Sequence, residues 1–154
     1  MAEVSCPCGV AVGAIEGSTR VFKSMPFATA GRWEQPALVT DWPSPIDAMS
    51  EQLAAYQRNQ PQPDDVHQTE DCLTVTVRSP VGASNLPVMC WIHGGNHQDG
   101  RAEQPAEPHA NELPDKGVVL VKINYRLGLF GYFAHPDLSS TNFGTSDQVI
   151  FYSK

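Results

Sequence analysis

The residues whose types and spacing could do chemistry cluster in His93-Gly94-Gly95-Asn96-His97. They follow a continuous apolar run, Val88 to Ile92, bounded by Pro87 before and by the glycine pair after. A run of this kind, with β-branched and aromatic residues, predicts a strand buried on both faces. Two glycines directly after it mean that the backbone turns sharply or lets something approach closely. In an α/β sheet, ligands sit at the C-terminal ends of strands. A glycine turn there can aim backbone N–H groups at a developing negative charge, as an oxyanion hole does. A second chemistry, zinc held by His93 and His97, needs both rings on one helical face, and Gly94-Gly95 argue against that helix. The plain alternative is a tight turn with no chemical role.

The elements that must position this stretch can be read around it. Val118 to Ile123 is a second continuous apolar run, entered through a turn at Lys116-Gly117. Arg101 to Pro114 between them is polar and interrupted by proline, so it reads as loop with one helical turn near His109 to Leu113. Two such runs joined by a long crossover predict neighbouring parallel strands. Upstream, Val10, Val12 and Ile15 predict a short edge strand ending at Gly17. Leu73, Val75 and Val77 alternate with Thr74 and Thr76, the pattern of a half-buried strand. Met49, Leu53 and Tyr56 fall on one helical face and Asp47 can cap, so Asp47 to Arg58 reads as a short amphipathic helix. Gln57 to Asp65 reads as an exposed loop. The fold class is α/β.

Length and composition set the bounds. The 154 residues suffice for one compact domain with a core. Hydrophobic content of 41% and charged content of 18% are those of a globular chain. A formal net charge of −7 argues against a nucleic-acid partner, which needs a basic face. No apolar run approaches the roughly 20 residues of a membrane span, so no membrane association is expected. Met1 to Cys8 has neither a basic start nor an apolar stretch of the signal-peptide kind, so the expected location is cytoplasmic. Of the four cysteines, Cys6 and Cys8 are too close for a C-x-x-C motif and lack a second ligand pair, so free thiols are expected.

Several segments, in order, resemble the type-B carboxylesterases, the cholinesterase-like branch of the α/β-hydrolases. Pro87-Val88-Met89-Cys90-Trp91-Ile92-His93-Gly94-Gly95 resembles that family's oxyanion strand and loop. Gly13-Ala14-Ile15-Glu16-Gly17, Val21-Phe22 and Met25-Pro26-Phe27-Ala28 resemble its opening hairpin, followed by Arg32-Trp33 and Pro36 in its connector. Asp41-Trp42-Pro43 and Asp47-Ala48 are looser matches. Glu70-Asp71-Cys72-Leu73 with Val75 and Val77 resembles its second signature. Asn124-Tyr125-Arg126-Leu127-Gly128 and Asn142-Phe143-Gly144-Thr145-Ser146-Asp147-Gln148 resemble its next two.

The resemblance implies the N-terminal portion of an α/β-hydrolase fold, with antiparallel N-terminal strands leading into a parallel sheet. It implies an oxyanion loop at Gly94, Gly95 and Asn96, the donors being the backbone N–H groups of Gly95 and Asn96. Asn96 stands where the family has a third small residue, and Asn tolerates left-handed backbone. It implies two structural ion pairs, Arg32 with Glu70 and Arg126 with Asp147. In secreted members the cysteine at Cys72 pairs with one near Ser50 or Gln52. No cysteine lies there, which again favours an intracellular location.

The family's nucleophilic serine sits in a Gly-x-Ser-x-Gly elbow, with the acid and then the histidine much later. No such elbow occurs between residues 1 and 154. The expectation is therefore an incomplete type-B domain over 1–154, a fragment of an enzyme that hydrolyses small-molecule carboxylic esters through a serine acyl-enzyme, inactive by itself. No cofactor and no metal are expected, and no protein partner can be named. The rival reading is a non-catalytic cholinesterase-like interaction module. A metal or redox protein built on Cys6 and Cys8 is a third. Val118 to Ile123 is expected at an open apolar edge of the sheet, giving poor solubility or a molten state.

Overall fold

A computed structural model describes residues 1–43, 45–49, 52–58, 63–104 and 108–153. The strands are β1 (Ala2–Cys6), β2 (Gly9–Glu16), β3 (Thr19–Pro26), β4 (Ala28–Thr29), β5 (Ala37–Leu38), β6 (Ile46–Asp47), β7 (Gln52–Ala55), β8 (Val66–Thr69), β9 (Thr74–Pro80), β10 (Val88–Ile92) and β11 (Val119–Ile123). A 3-10 helix at Pro108–Lys116 precedes β11, where a helical turn was predicted. Two helices, α1 (Gly128–Tyr132) and α2 (Phe143–Phe151), follow β11.

The main sheet has the order β1-β2-β3-β9-β11-β10, with β6 paired to β2. From β1 to β11 every neighbouring pair is antiparallel, and β10 then pairs with β11 in parallel, Val88 opposite Val119 and Ile92 opposite Ile123. Antiparallel strands thus lead into a parallel pair, as expected, and the crossover between the apolar runs is what makes that pair parallel.

Three strand assignments differ from the sequence reading. β2 is an inner strand, because Ala2–Cys6 forms a further strand outside it. The open edge is β10, because β11 is flanked on both sides, by β9 and β10. β10 is also not buried on both faces: Val88 is 61% exposed and Met89 46%. It pairs with β11 alone, and Val88, Met89 and Cys90 are exposed, while Trp91 is half-buried and Ile92 packs against the core.

β9 inverts the simple hydrophobic pattern. Thr74, Thr76, Arg78 and Ser79 are its buried residues, while Val75 and Val77 are half-buried. The buried face is polar but paired. Arg78 bonds Glu103 and Glu16, each at 3.0 Å, and Lys122 on β11 bonds Asn111 at 2.6 Å and Glu103 at 3.2 Å. Glu103 and Asn111 reach this face from the stretch before β11, and Glu103 is the compensating acid, so burial of the two cations does not leave them uncompensated.

The Asp47 to Arg58 helix does not form; residues 50 and 51 lie outside the described set, and Gln52–Ala55 is a strand parallel to Val66–Thr69. The reason is tertiary. The β3–β9 register shifts between Phe22 and Met25, placing Ser24 at φ +51°. That bulge re-aims the chain, and the Leu53 N–H then donates to Ser24 Oγ at 3.0 Å. The Asn124 side-chain amide donates to the Leu53 carbonyl at 2.8 Å. Both Leu53 backbone groups are engaged by distant side chains, which an i to i+4 ladder would exclude.

Both expected ion pairs form. Arg32 meets Glu70 in a fork at the surface, with Nε to Oε2 at 2.8 Å. Arg126 and Asp147 are buried, with Nε to Oδ2 at 2.9 Å and Nη2 to Oδ1 at 2.6 Å. Arg126 Nη1 also donates to the Glu34 carbonyl at 2.9 Å, and its own N–H to Asp147 Oδ2 at 3.0 Å. Removing one partner of a buried pair leaves the other charge uncompensated. Asp147→Ala is expected to cost about 3–5 kcal/mol, read as a lowered urea midpoint. A loss below about 1 kcal/mol would show that the pair does not hold α2 to the sheet.

Candidate functional site

The glycine turn leaves the C-terminal end of β10, where it was expected. His93 is buried, and its ring stacks on Tyr125 with centroids 4.5 Å apart. Nδ1 lies 2.8 Å from the Gly94 carbonyl, which can only accept, so Nδ1 carries the proton. The Tyr125 hydroxyl donates to the His93 carbonyl at 3.0 Å. Burial pushes the Tyr125 pKa up to about 12, so this phenol stays a donor throughout the neutral range. Both carbonyls that precede Gly95 are therefore fixed.

The turn itself runs through left-handed backbone. Gly95 has φ +111°, Asn96 +52° and His97 +60°. A Cβ on Gly95 would run into the Asp99 carbonyl oxygen, and one on Gly100 (φ +118°) into His93 Nδ1. These two positions require glycine for space as well as for φ. The Gly95 carbonyl accepts from the N–H groups of Gln98 at 2.9 Å and Asp99 at 3.1 Å. The His97 carbonyl accepts from the Gly128 N–H at 2.7 Å, and its ring stacks on Tyr132 at 4.5 Å. The Gln57 amide brackets Gly100 from the other side, accepting from its N–H and donating to its carbonyl, both at 2.9 Å.

Among the described residues, nothing accepts a hydrogen bond from the N–H groups of Gly95 or Asn96. Gly94 and Asn96 are exposed. The turn thus presents backbone donors on a rigid frame at a strand end. The region's one buried imidazole is neutral. Burial lowers the His93 pKa, outweighing the hydrogen bond to Gly94 and the charge of Asp99.

The model of the carboxylesterase family matches residues 2–150. The chain belongs to that family. A para-nitrobenzyl esterase of Bacillus subtilis is 35% identical over 160 residues, covering 95% of this chain and 31% of that protein. A protein named "Probable N-octanoylanthranilate hydrolase" from Rhodococcus erythropolis is 32% identical, covering 95% of this chain and 34% of its own length. A solved thermophilic para-nitrobenzyl esterase superposes on 98% of this chain and 34% of its own, with TM-score 0.86 at 29% identity. The fold is therefore that of the type-B carboxylesterases, an α/β-hydrolase family, and the chain spans about a third of the length of the curated relatives it matches.

Within that carboxylesterase frame, Gly94, Gly95 and Asn96 follow one another directly after β10, with Gly95 and Asn96 at positive φ. Three contributors were not legible from the motif. Gln57 lay in a stretch read as helix and loop, and nothing near it in sequence announces a bond to Gly100, 43 positions away. Gly100 itself could have been flagged as a second glycine close to the pair. Tyr125 belonged to a recognised motif, but its reach to His93 depends on the register of β10 against β11.

The lowered His93 pKa has a stability consequence. The folded state binds a proton at His93 less readily than the unfolded chain, whose histidine titrates near 6.5. Stability from this group is full above about pH 6.5 and is lost as the pH falls below it. His93→Gln is expected to flatten the fall in urea midpoint between about pH 7 and pH 5 relative to wild type. Parallel profiles for the two proteins would show that His93 does not carry it.

Proposed function

We propose that this chain is the oxyanion-supplying part of a carboxylic ester hydrolase that works through a serine acyl-enzyme. The observation that carries the reading is the left-handed turn after β10, whose Gly95 and Asn96 N–H groups have no acceptor among the described residues. When a serine alkoxide adds to an ester carbonyl, the oxygen gains a full negative charge. Two fixed N–H donors stabilise that charge without reorganising in the transition state. The turn is preorganised by the His93, Tyr125 and Gln57 contacts.

No Gly-x-Ser-x-Gly elbow lies in these 154 residues, so the nucleophile, acid and base of this mechanism are not supplied by them. By this reading the substrate is a small-molecule ester, no cofactor takes part, and the 154 residues alone do not turn over. Cys72 is a free thiol and no cysteine stands near Ser50 or Gln52, where secreted relatives carry its partner, which supports a reducing, cytoplasmic setting. The exposed apolar edge at Val88 and Met89 favours a second reading, an interaction module that receives a strand from a partner.

Sequencing the transcript beyond the Lys154 codon in all three frames separates the two. An elbow followed by an acid and a histidine supports the hydrolase. The protein expressed with that sequence should then hydrolyse para-nitrophenyl esters. Gly95→Ala, whose Cβ runs into the Asp99 carbonyl and displaces the turn, should lower its kcat about 10²–10³-fold, the scale of misplacing one oxyanion donor. A message without an elbow, or a Gly95→Ala enzyme with unchanged kcat, would overturn the oxyanion reading.

A further inference from the structure

A cleft of about 970 Å³ opens beside the glycine turn, lined among others by Arg32, Tyr56, Arg58, Gln98 and Phe130. We infer that it is a subsite for the carboxylate-bearing arm of an ester, with Arg58 as the group that reads the charge. The inference rests on the ester-hydrolase reading and names its substrate class.

The cleft has an apolar wall and a cation. The rings of Tyr56 and Phe130 lie 5.8 Å apart at 41° and present a continuous aromatic surface. Arg32 sits 5.2 Å from the Phe130 centroid, but its Nε and Nη2 are taken by Glu70. That pair is neutral as a unit. Arg58 is exposed, and among the described residues it has no acid partner. A guanidinium with a free fork suits a carboxylate, which it can meet through two parallel N–H donors.

Its backbone starts from a residue anchored beside the oxyanion turn. Arg58 follows Gln57, whose side chain is bonded to both backbone groups of Gly100 at 2.9 Å. Gln98, which also lines the cleft, donates its own N–H to the Gly95 carbonyl at 2.9 Å. An ester whose carbonyl sits at the Gly95 and Asn96 N–H groups can therefore extend one arm along Tyr56 and Phe130 toward Arg58. The chain carries a net charge of −7, so anions are not drawn to it in general. The cation acts locally, and what it selects is a substrate with an apolar body and one carboxylate, such as a half-ester of a dicarboxylic acid.

The probe is monobenzyl succinate, with neutral benzyl methyl succinate as control, titrated into the 15N-labelled 154-residue chain. The half-ester should shift the amides of Tyr56, Gln98 and Phe130 and bind about fivefold more tightly than the diester. Added salt should weaken only the half-ester. Arg58→Gln should remove the fivefold preference and Arg58→Lys should keep most of it. Equal affinity for the two esters, an unchanged preference in Arg58→Gln, or shifts confined to other residues would overturn the inference. In a protein that carries a nucleophile elbow after these residues, the ratio of kcat/KM for half-ester over diester should fall about fivefold in Arg58→Gln. Hydrolysis without any half-ester preference would sink this inference alone. Charge-selective binding in a protein that hydrolyses no ester would sink the hydrolase reading and leave the anion site standing.

Discussion

Three consecutive residues after β11 hold the molecule together, and the buried pair of Arg126 with Asp147 is the constraint that fixes them. Asn124, Tyr125 and Arg126 are 3%, 2% and 4% exposed, yet each is polar and each reaches in a different direction. Asn124 bonds the Ala102 N–H and the Leu53 carbonyl, joining the crossover segment to β7. Tyr125 bonds the His93 carbonyl and stacks on its ring. Arg126 bonds Asp147 on α2 and the Glu34 carbonyl in the connector. A guanidinium with several directed donors can serve an acid and a carbonyl at once, which a lysine could not do in the same geometry. With Arg126 fixed, the backbone of Tyr125 is fixed one residue away, and the glycine turn inherits that rigidity.

The turn needs such support because it is locally unfavourable. Two successive non-glycine residues in left-handed backbone, Asn96 and His97, cost energy that the surroundings must offset. Each element that offsets it comes from a different part of the chain. Tyr132 on α1 stacks on the His97 ring, Gly128 donates to the His97 carbonyl, and Gln57 brackets Gly100. Free N–H groups at Gly95 and Asn96 are tolerable because Asn96 lies at the surface, where water can solvate them. On the oxyanion reading proposed above, the turn must keep its donors free of internal partners and yet immobile. Those demands conflict within the turn, so the immobility is imported through the carbonyls and rings on either side.

What the sequence made legible follows the same division. The apolar runs 88–92 and 118–123 identified two strands, and the crossover length made them parallel. Arg32–Glu70 and Arg126–Asp147 were legible through the family resemblance, since each partner sits in a recognisable segment. The Asp47 to Arg58 stretch was misread because three apolar residues at helical spacing are a local signal. Leu53 is held instead by Ser24 and Asn124, 29 and 71 positions away. The half-buried strand β9 was legible as such, but the covering of its threonine face was not, for a related reason. Alternation shows that two faces differ, but which face is covered depends on Glu103 arriving over Arg78 and Lys122.

The burial of charge in this sheet is also what keeps its register. A one-residue slip of β9 against β11 would send Arg78 and Thr76 to the opposite face and bring the half-buried Val75 and Val77 against Glu103. Arg78 opposite Leu120 and Thr76 opposite Lys122 is the alignment in which the acid at 103 reaches both cations. The same alignment brings Asn124 N–H to the Thr74 carbonyl at 2.9 Å. Tyr125 therefore emerges at the level of His93. The polar face of the sheet and the geometry of the glycine turn are one structural problem: the ion pairs on the covered face set the register, and the register delivers the tyrosine that locks the turn.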